Sequence, residues 1–335
     1  VRSGYKRALR IISIPIYVFV IGELTLRVLS SFVLFFDMEM IDYATKVLSD
    51  SPVPNVTHQQ TPDTNVHIMG VDLVLNSLGH RSVELSPTKP ANEYRVQFIG
   101  SSITLGWGVN VEDGFAEVTT SLLNAGTAGG GATNFVAINA GTADYNTAYN
   151  VRSFIFHAPK TDPDLVVIQY HLNDARPDPV GGANPILRYS VFAAFVFQKV
   201  ASLQFLAGRT LSETYSDVYQ DNQPSWLETQ SELQDLVQFV KSNNIKVVGI
   251  LIPELHDLSP NSPFIPIYDA VENRLEEIDI PLINPFPELA DAFGSNISAA
   301  MVATGDPHPS VLAHNVIAQK LVRFLSAKPG YLPEN

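Results

Sequence analysis

From about residue 93 onward, apolar residues fall in short unbroken blocks, separated by longer segments in which they recur every three or four positions. The blocks predict strands at Arg95–Ile99, Asn134–Asn139, Asp164–Tyr170, Ile245–Ile252 and Pro281–Ile283. The periodic segments predict helices at Gly114–Leu123, Tyr145–Phe156, Ser225–Asn243, Tyr268–Ile278 and Leu312–Ser326. A strand apolar at nearly every position is one covered on both faces, whereas a half-exposed strand alternates. Strand and helix in turn therefore predict a parallel sheet between two helical layers, a three-layer α/β/α domain. Ligands bind such sheets outside the carboxyl ends of the strands. The loops after Ile99, Asn139 and Tyr170 all fall on that edge.

The N-terminal part follows a different pattern. Residues 11–36 are almost continuously apolar, and as a helix their length would reach about 39 Å against a bilayer core of about 30 Å. Arg2, Lys6, Arg7 and Arg10 precede the run, and Asp37, Glu39 and Asp42 follow it. That asymmetry predicts a transmembrane anchor with its N-terminus in the cytoplasm. Glu23 and Arg27 interrupt the run but share a helix face and can pair. A cleaved signal segment and a helix packed on the main domain are the alternatives. The expected organisation is an anchor at 1–36, a proline-punctuated connecting region at 37–92 and a domain at 93–330. An insertion at 175–224 contains the apolar stretch Ile186–Leu206, which reads as packed helices, a lid or membrane-facing cap, or a second span. Gly126–Gly131 reads as a connecting loop.

Composition narrows the chemistry. A net charge of −13 over 335 residues argues against a nucleic-acid partner, which needs a basic face. Without cysteine there are no disulfides and no thiolate metal sites. The eight histidines show no metal-ligand spacing, so neither a metal nor another cofactor is implied.

Two distant segments supply complementary groups. Gly100-Ser101-Ser102-Ile103-Thr104-Leu105-Gly106 follows the first predicted strand, and Asp306-Pro307-His308-Pro309 precedes the last predicted helix. A serine hydroxyl attacks at neutral pH only with a base in hydrogen-bond reach and a group orienting that base. Together the segments offer serine, histidine and aspartate.

On these residues the chain resembles the GDSL/SGNH hydrolase family, through four short blocks between residues 94 and 327. The resemblance implies a flavodoxin-like three-layer fold and an esterase. In the first block Ser102 takes the nucleophile position. Ser101 stands where the family usually has aspartate, which leaves a neighbouring hydroxyl as a rival. In Asn139-Ala140-Gly141 the resemblance assigns Gly141 a backbone N–H in the oxyanion hole, beside the Ser102 N–H. In His171-Leu172-Asn173-Asp174 it assigns the Asn173 amide to the same hole, with His171 where the family has glycine. In the last block it makes His308 the base and Asp306 its orienting partner, one residue apart where two usually intervene. Trp107, Tyr145 and His171 are candidate pocket residues.

The implied function is hydrolysis of carboxylic esters through an acyl-enzyme, on O-acylated glycans or lipids. It would take place on a bacterial inner membrane, with the catalytic domain in the periplasm. Transfer of the acyl group to a sugar hydroxyl and a non-catalytic carbohydrate-binding or scaffold role are the alternatives. Nothing in the sequence fixes the oligomeric state.

Overall fold

The computed structural model describes residues 2–29, 36–127, 133–177, 190–206, 208–303 and 306–333. Parts of two expected features, the Gly126–Gly131 loop and the 175–224 insertion, lie outside the described residues.

At the centre are five parallel strands, β5 (Glu93–Ile99), β6 (Asn134–Asn139), β7 (Leu165–Tyr170), β8 (Lys246–Leu251) and β9 (Leu282–Ile283), in the order β6-β5-β7-β8-β9. Val96 pairs with both Ala137 and Leu165, and Leu165 in turn with Lys246. The chain starts in the interior of the sheet, adds β6 on one side, then reverses to add the rest on the other. The reversal leaves a crevice between the carboxyl ends of β5 and its neighbours, where this topology binds ligands.

Both faces of the sheet are covered. Val96, Phe98, Val167, Val248 and Ile250 pack against Phe115 and Leu123, and against Ile317 and Leu321. Val166, Ile168, Tyr170 and Leu251 pack against Phe154, Leu236, Val271 and Leu275 on the other side. All six side chains of β7 are buried, which explains its continuous apolar block. Gln169 is the one amide among them, and its role lies in the site. The strand and helix boundaries differ from the sequence expectations by a few residues at most, apart from the helix ends at Thr127 and Thr161.

In the segment expected as a connection, the sequence reads Val71–Leu75 as a short strand, and β4 (Val71–Val74) lies there, paired antiparallel with β3 (Asn65–Ile68). The same segment carries features that were not legible beforehand, α2 (Phe36–Lys46) and the antiparallel pair of β1 (Leu48–Asp50) with β2 (His58–Gln60). It packs Tyr43, Leu73 and Leu75 against Leu105 and Trp107 behind the Ser102 loop. A hairpin of β10 (Met301–Ala303) and β11 (Asp306–Pro309) carries the last motif.

The transmembrane element expected over 11–36 is not supported. Among the described residues no helix is long and apolar enough to cross a membrane. Helix α1 (Arg2–Leu29) ends inside that range. Glu23 and Arg27 do pair, at 2.6 Å. The Glu23 carboxylate also accepts hydrogen bonds from Ser190 Oγ and from the backbone N–H groups of Val191 and Phe192. Those two N–H groups begin the insertion's apolar helix, Val191–Leu206, so Glu23 serves as its N-terminal cap from another element. Gly22 lets the two helices close. A Cβ there would stand 2.5 Å from the Phe192 ring, which packs edge-on to Phe19.

Candidate active site

The site forms where β5 ends. Ser102 opens the four-residue helix α3 (Ser102–Leu105) immediately after Gly100-Ser101. The turn is so tight that a Cβ at Gly100 would lie 2.2 Å from Thr104 Oγ1 and 2.5 Å from Gln169 Oε1. The two serines are thereby given different work. Ser101 donates to Gln169 Oε1 from both its N–H (2.9 Å) and its hydroxyl (3.1 Å), and Thr104 Oγ1 donates to the same oxygen. Ser101 is a fastener between α3 and β7. Ser102 Oγ instead lies 2.7 Å from His308 Nε2.

His308 is oriented from its other nitrogen, with Nδ1 2.5 Å from Asp306 Oδ1. The same carboxylate oxygen accepts the His308 backbone N–H at 3.1 Å. The short Asp306–His308 spacing has a simple explanation. Both residues lie on β11, and side chains two apart on a strand point to one face. A single intervening proline is then the right separation, whereas two residues would suit a turn. With Nδ1–H held by Asp306, Nε2 carries the lone pair and faces the Ser102 hydroxyl.

Trp107 differs from the expectation. It is not on the wall of the cavity but buried behind the base, stacked on the His308 ring at 5.4 Å and 22°. Tyr43 packs edge-on against its far side. Tyr145 and His171 do border the cavity, an opening of ≈ 240 Å³ that Ser102, Asn173, His308 and Asp144 also line. The Tyr145 hydroxyl is committed to the His58 carbonyl, at 2.7 Å.

Gly141 is also corrected. Its N–H donates to Asn139 Oδ1 at 3.1 Å, so it is already bonded, and the residue does not border the cavity. Its missing side chain serves packing, because a Cβ would stand 2.2 Å from Leu105 N and 2.6 Å from the Thr104 carbonyl carbon. We expect Gly141→Ala to displace α3 and lower stability by about 3 kcal/mol, as an overpacked core site does. A thermal or urea melt checks this, and an unchanged midpoint would show that the loop yields.

Further along the same loop, Asp144 borders the cavity with a left-handed backbone, φ +69°. Arg176 holds it there, contacting its carbonyl at 2.9 Å and its carboxylate at 2.5 Å. Among the described residues the Asp144 N–H and the Ser102 N–H meet no acceptor, and the Asn173 side-chain amide has no partner. Free donors around one serine are what an oxyanion site needs.

Several supporting residues escaped the sequence reading. Arg81 is buried and donates to the carbonyls of Leu105 and Gly106 at the end of α3, and to those of Asp72 and Val109. Burial lowers its pKa to about 10, which still leaves it charged at neutral pH. Gln60 donates to the Gly141 carbonyl and accepts from Tyr43, whose hydroxyl in turn accepts the Ala143 N–H. These contacts come from residues 37–92, where no motif marked them. Gln169 did carry a signal, as the lone amide in an otherwise apolar buried strand. His314, four residues into the last helix, is fully buried. It accepts the Phe115 N–H, and burial lowers its pKa to about 3, so it is neutral.

No family model matches the chain, and no curated protein matches it. Similar folds occur among solved structures. An acetylxylan esterase from Geobacillus stearothermophilus, solved as a catalytic mutant of Axe2, is 18% identical over 72% of this chain and 97% of its own, with a TM-score of 0.44. TesA is 16% identical over 70% of this chain and 98% of its own, at 0.43. A putative lipolytic protein of the G-D-S-L family from Desulfitobacterium hafniense is 15% identical over 69% and 99%, at 0.40. Likeness at this level carries no argument about function, which rests on the geometry of the site.

Proposed function

We propose that this chain is a serine esterase of the GDSL/SGNH type, cleaving carboxylic esters through an acyl-enzyme. The observation that carries the reading is the continuous contact from Asp306 through His308 to Ser102. Ser102 Oγ attacks the ester carbonyl while His308 Nε2 takes its proton. Asp306 holds the imidazole in the required tautomer and stabilises the imidazolium. The negative charge on the carbonyl oxygen is met by the Ser102 N–H, the Asn173 amide and the Asp144 N–H, which takes the part expected of Gly141. His308 then protonates the departing alcohol. Water, deprotonated by the same imidazole, releases the acid and regenerates Ser102.

The cavity favours a short acyl group on a polar alcohol. Its wall carries the Arg176–Asp144 pair, His171 and Asn173, which suit sugar hydroxyls, and Ile103, Ile252 and Leu255, which suit the acyl group. Hydrolysis of chromogenic acetates against longer acyl chains tests this, with turnover expected to fall as the chain lengthens. Adding glycan acceptors and measuring acyl transfer separates hydrolase from O-acyltransferase.

Association with a membrane is part of the same proposal. Ile14, Val18, Ile21, Leu24 and Val28 of α1 are exposed, as are Val196, Phe197, Val200 and Leu203 of the helix it clasps. Basic residues at the start of α1 complement anionic headgroups. In vesicle flotation the full chain is expected to rise with anionic vesicles, and a Val18→Glu/Ile21→Glu variant to remain largely below. Wild-type protein left in the dense fraction would overturn it.

A further inference from the structure

We infer that His171 and Glu254 form a second imidazole–carboxylate pair at the site, which positions Asn173 and releases it when the imidazole is protonated. This rests on the reading of Asn173 as an oxyanion donor.

The geometry is specific. His171 ends the stretch after β7 and caps the short 3-10 turn Leu172–Ala175 that carries Asn173. Its Nδ1 accepts the Asn173 backbone N–H at 3.2 Å, and the His171 backbone N–H donates to Asp174 Oδ2 at 2.8 Å. Its Nε2 lies 3.1 Å from Glu254 Oε1. Glu254 is buried beyond the end of β8, and its other oxygen is 3.2 Å from His256 Nδ1. An imidazole that accepts at Nδ1 carries its single proton on Nε2, facing Glu254. A second proton would have to sit on Nδ1, where it would oppose the Asn173 N–H. The cap would open, and with it the placement of the Asn173 amide.

The surroundings favour that second proton. Glu254, Asp174 and Arg176 all act on the His171 ring, and His256 and Tyr215 share Glu254 with it. Burial alone would lower the His171 pKa; the Glu254 charge outweighs it, and the net shift is upward. Burial alone would raise Glu254, but His171 and His256 hold its carboxyl below the usual carboxylate range. Burial pushes Asp174 up to about 6, so it too gains a proton in mild acid. The loop is therefore intact on the alkaline side and opens as pH falls through the raised His171 pKa. Protonation of the His171 loop then adds its own loss of activity on the acid side.

Asparagine at 171 separates these effects, because its Oδ1 can stand where Nδ1 stands, it is a strong N-cap residue, and it does not titrate. His171→Ala is expected to lower kcat about 10-fold with little change in KM, since the loss is felt in the transition state. His171→Asn is expected to recover most of that rate. Its acid limb of log(kcat/KM) against pH should also lie at lower pH than the wild type's, because the raised His171 group is gone. The backbone amide resonance of Asn173 reads the cap without turnover, and should shift with pH more in the wild type than in His171→Asn, where only Asp174 remains to move it. A wild-type Asn173 resonance that ignores pH, or an acid limb unmoved in His171→Asn, would overturn the proposal. If no ester is hydrolysed the enzyme reading fails, and the resonance still decides the cap. If His171→Ala does not fold, the wild type and His171→Asn suffice.

Discussion

Ser102→Ala lowers kcat/KM for a short-chain ester by about 10⁴- to 10⁶-fold, the range found when a serine nucleophile is deleted. Its hydroxyl bonds to His308, and the backbone around it is fixed by other groups. Gln169 holds Ser101 and Thr104, and Arg81 holds the carbonyls of Leu105 and Gly106. The alanine variant is therefore expected to keep its fold and melting temperature while losing turnover. His308→Ala should lose about as much, and the double variant little more, because the two act as one unit. A Ser101→Ala variant provides the contrast. It removes one hydrogen bond of α3 to Gln169 and leaves the Ser102–His308 contact in place, so much of the activity should remain. Substantial hydrolysis by Ser102→Ala would assign the chemistry elsewhere.

Asn173→Ala is expected to lower kcat about 10²- to 10³-fold with a small change in KM, as removal of one oxyanion donor does. The effect on kcat follows from timing. The amide meets a neutral carbonyl oxygen in the ground state and a charged one in the transition state, so the missing interaction is felt mainly in the latter. Its backbone stays capped by His171 and Asp174 when the side chain is cut back, so a large loss of stability is not expected. Steady-state kinetics alongside a melt distinguish the cases. A raised KM at unchanged kcat would make Asn173 a substrate-binding group instead.

The parallel sheet was legible because burial on both faces leaves a continuous apolar block, as at Leu165–Tyr170. The serine and histidine segments, each an ordinary turn by itself, were legible through their joint order after successive strand ends and the family resemblance that order carries. What holds them was not. Arg81, Gln60 and Tyr43 lie 24, 81 and 100 residues ahead of the positions they fasten, and their bonds go to backbone carbonyls and amides, which leave no side-chain pattern. Gly141 misled for a related reason. A glycine serves close packing and close approach to substrate equally well, and only the atoms a Cβ would strike tell these apart. Trp107 was near the nucleophile in sequence but turned to the far side of His308. The N-terminal run read as a span because sequence shows how apolar a helix is and not what its charges meet. Glu23 meets the first N–H groups of another helix.

The most direct test is covalent. A fluorophosphonate reacts with a serine whose proton is being withdrawn, and peptide mapping by mass spectrometry locates the adduct. The geometry predicts a single adduct on Ser102, with labelling nearly abolished in His308→Ala. An adduct on Ser101, or labelling of Ser102 as fast without His308 as with it, would contradict a nucleophile activated by that imidazole.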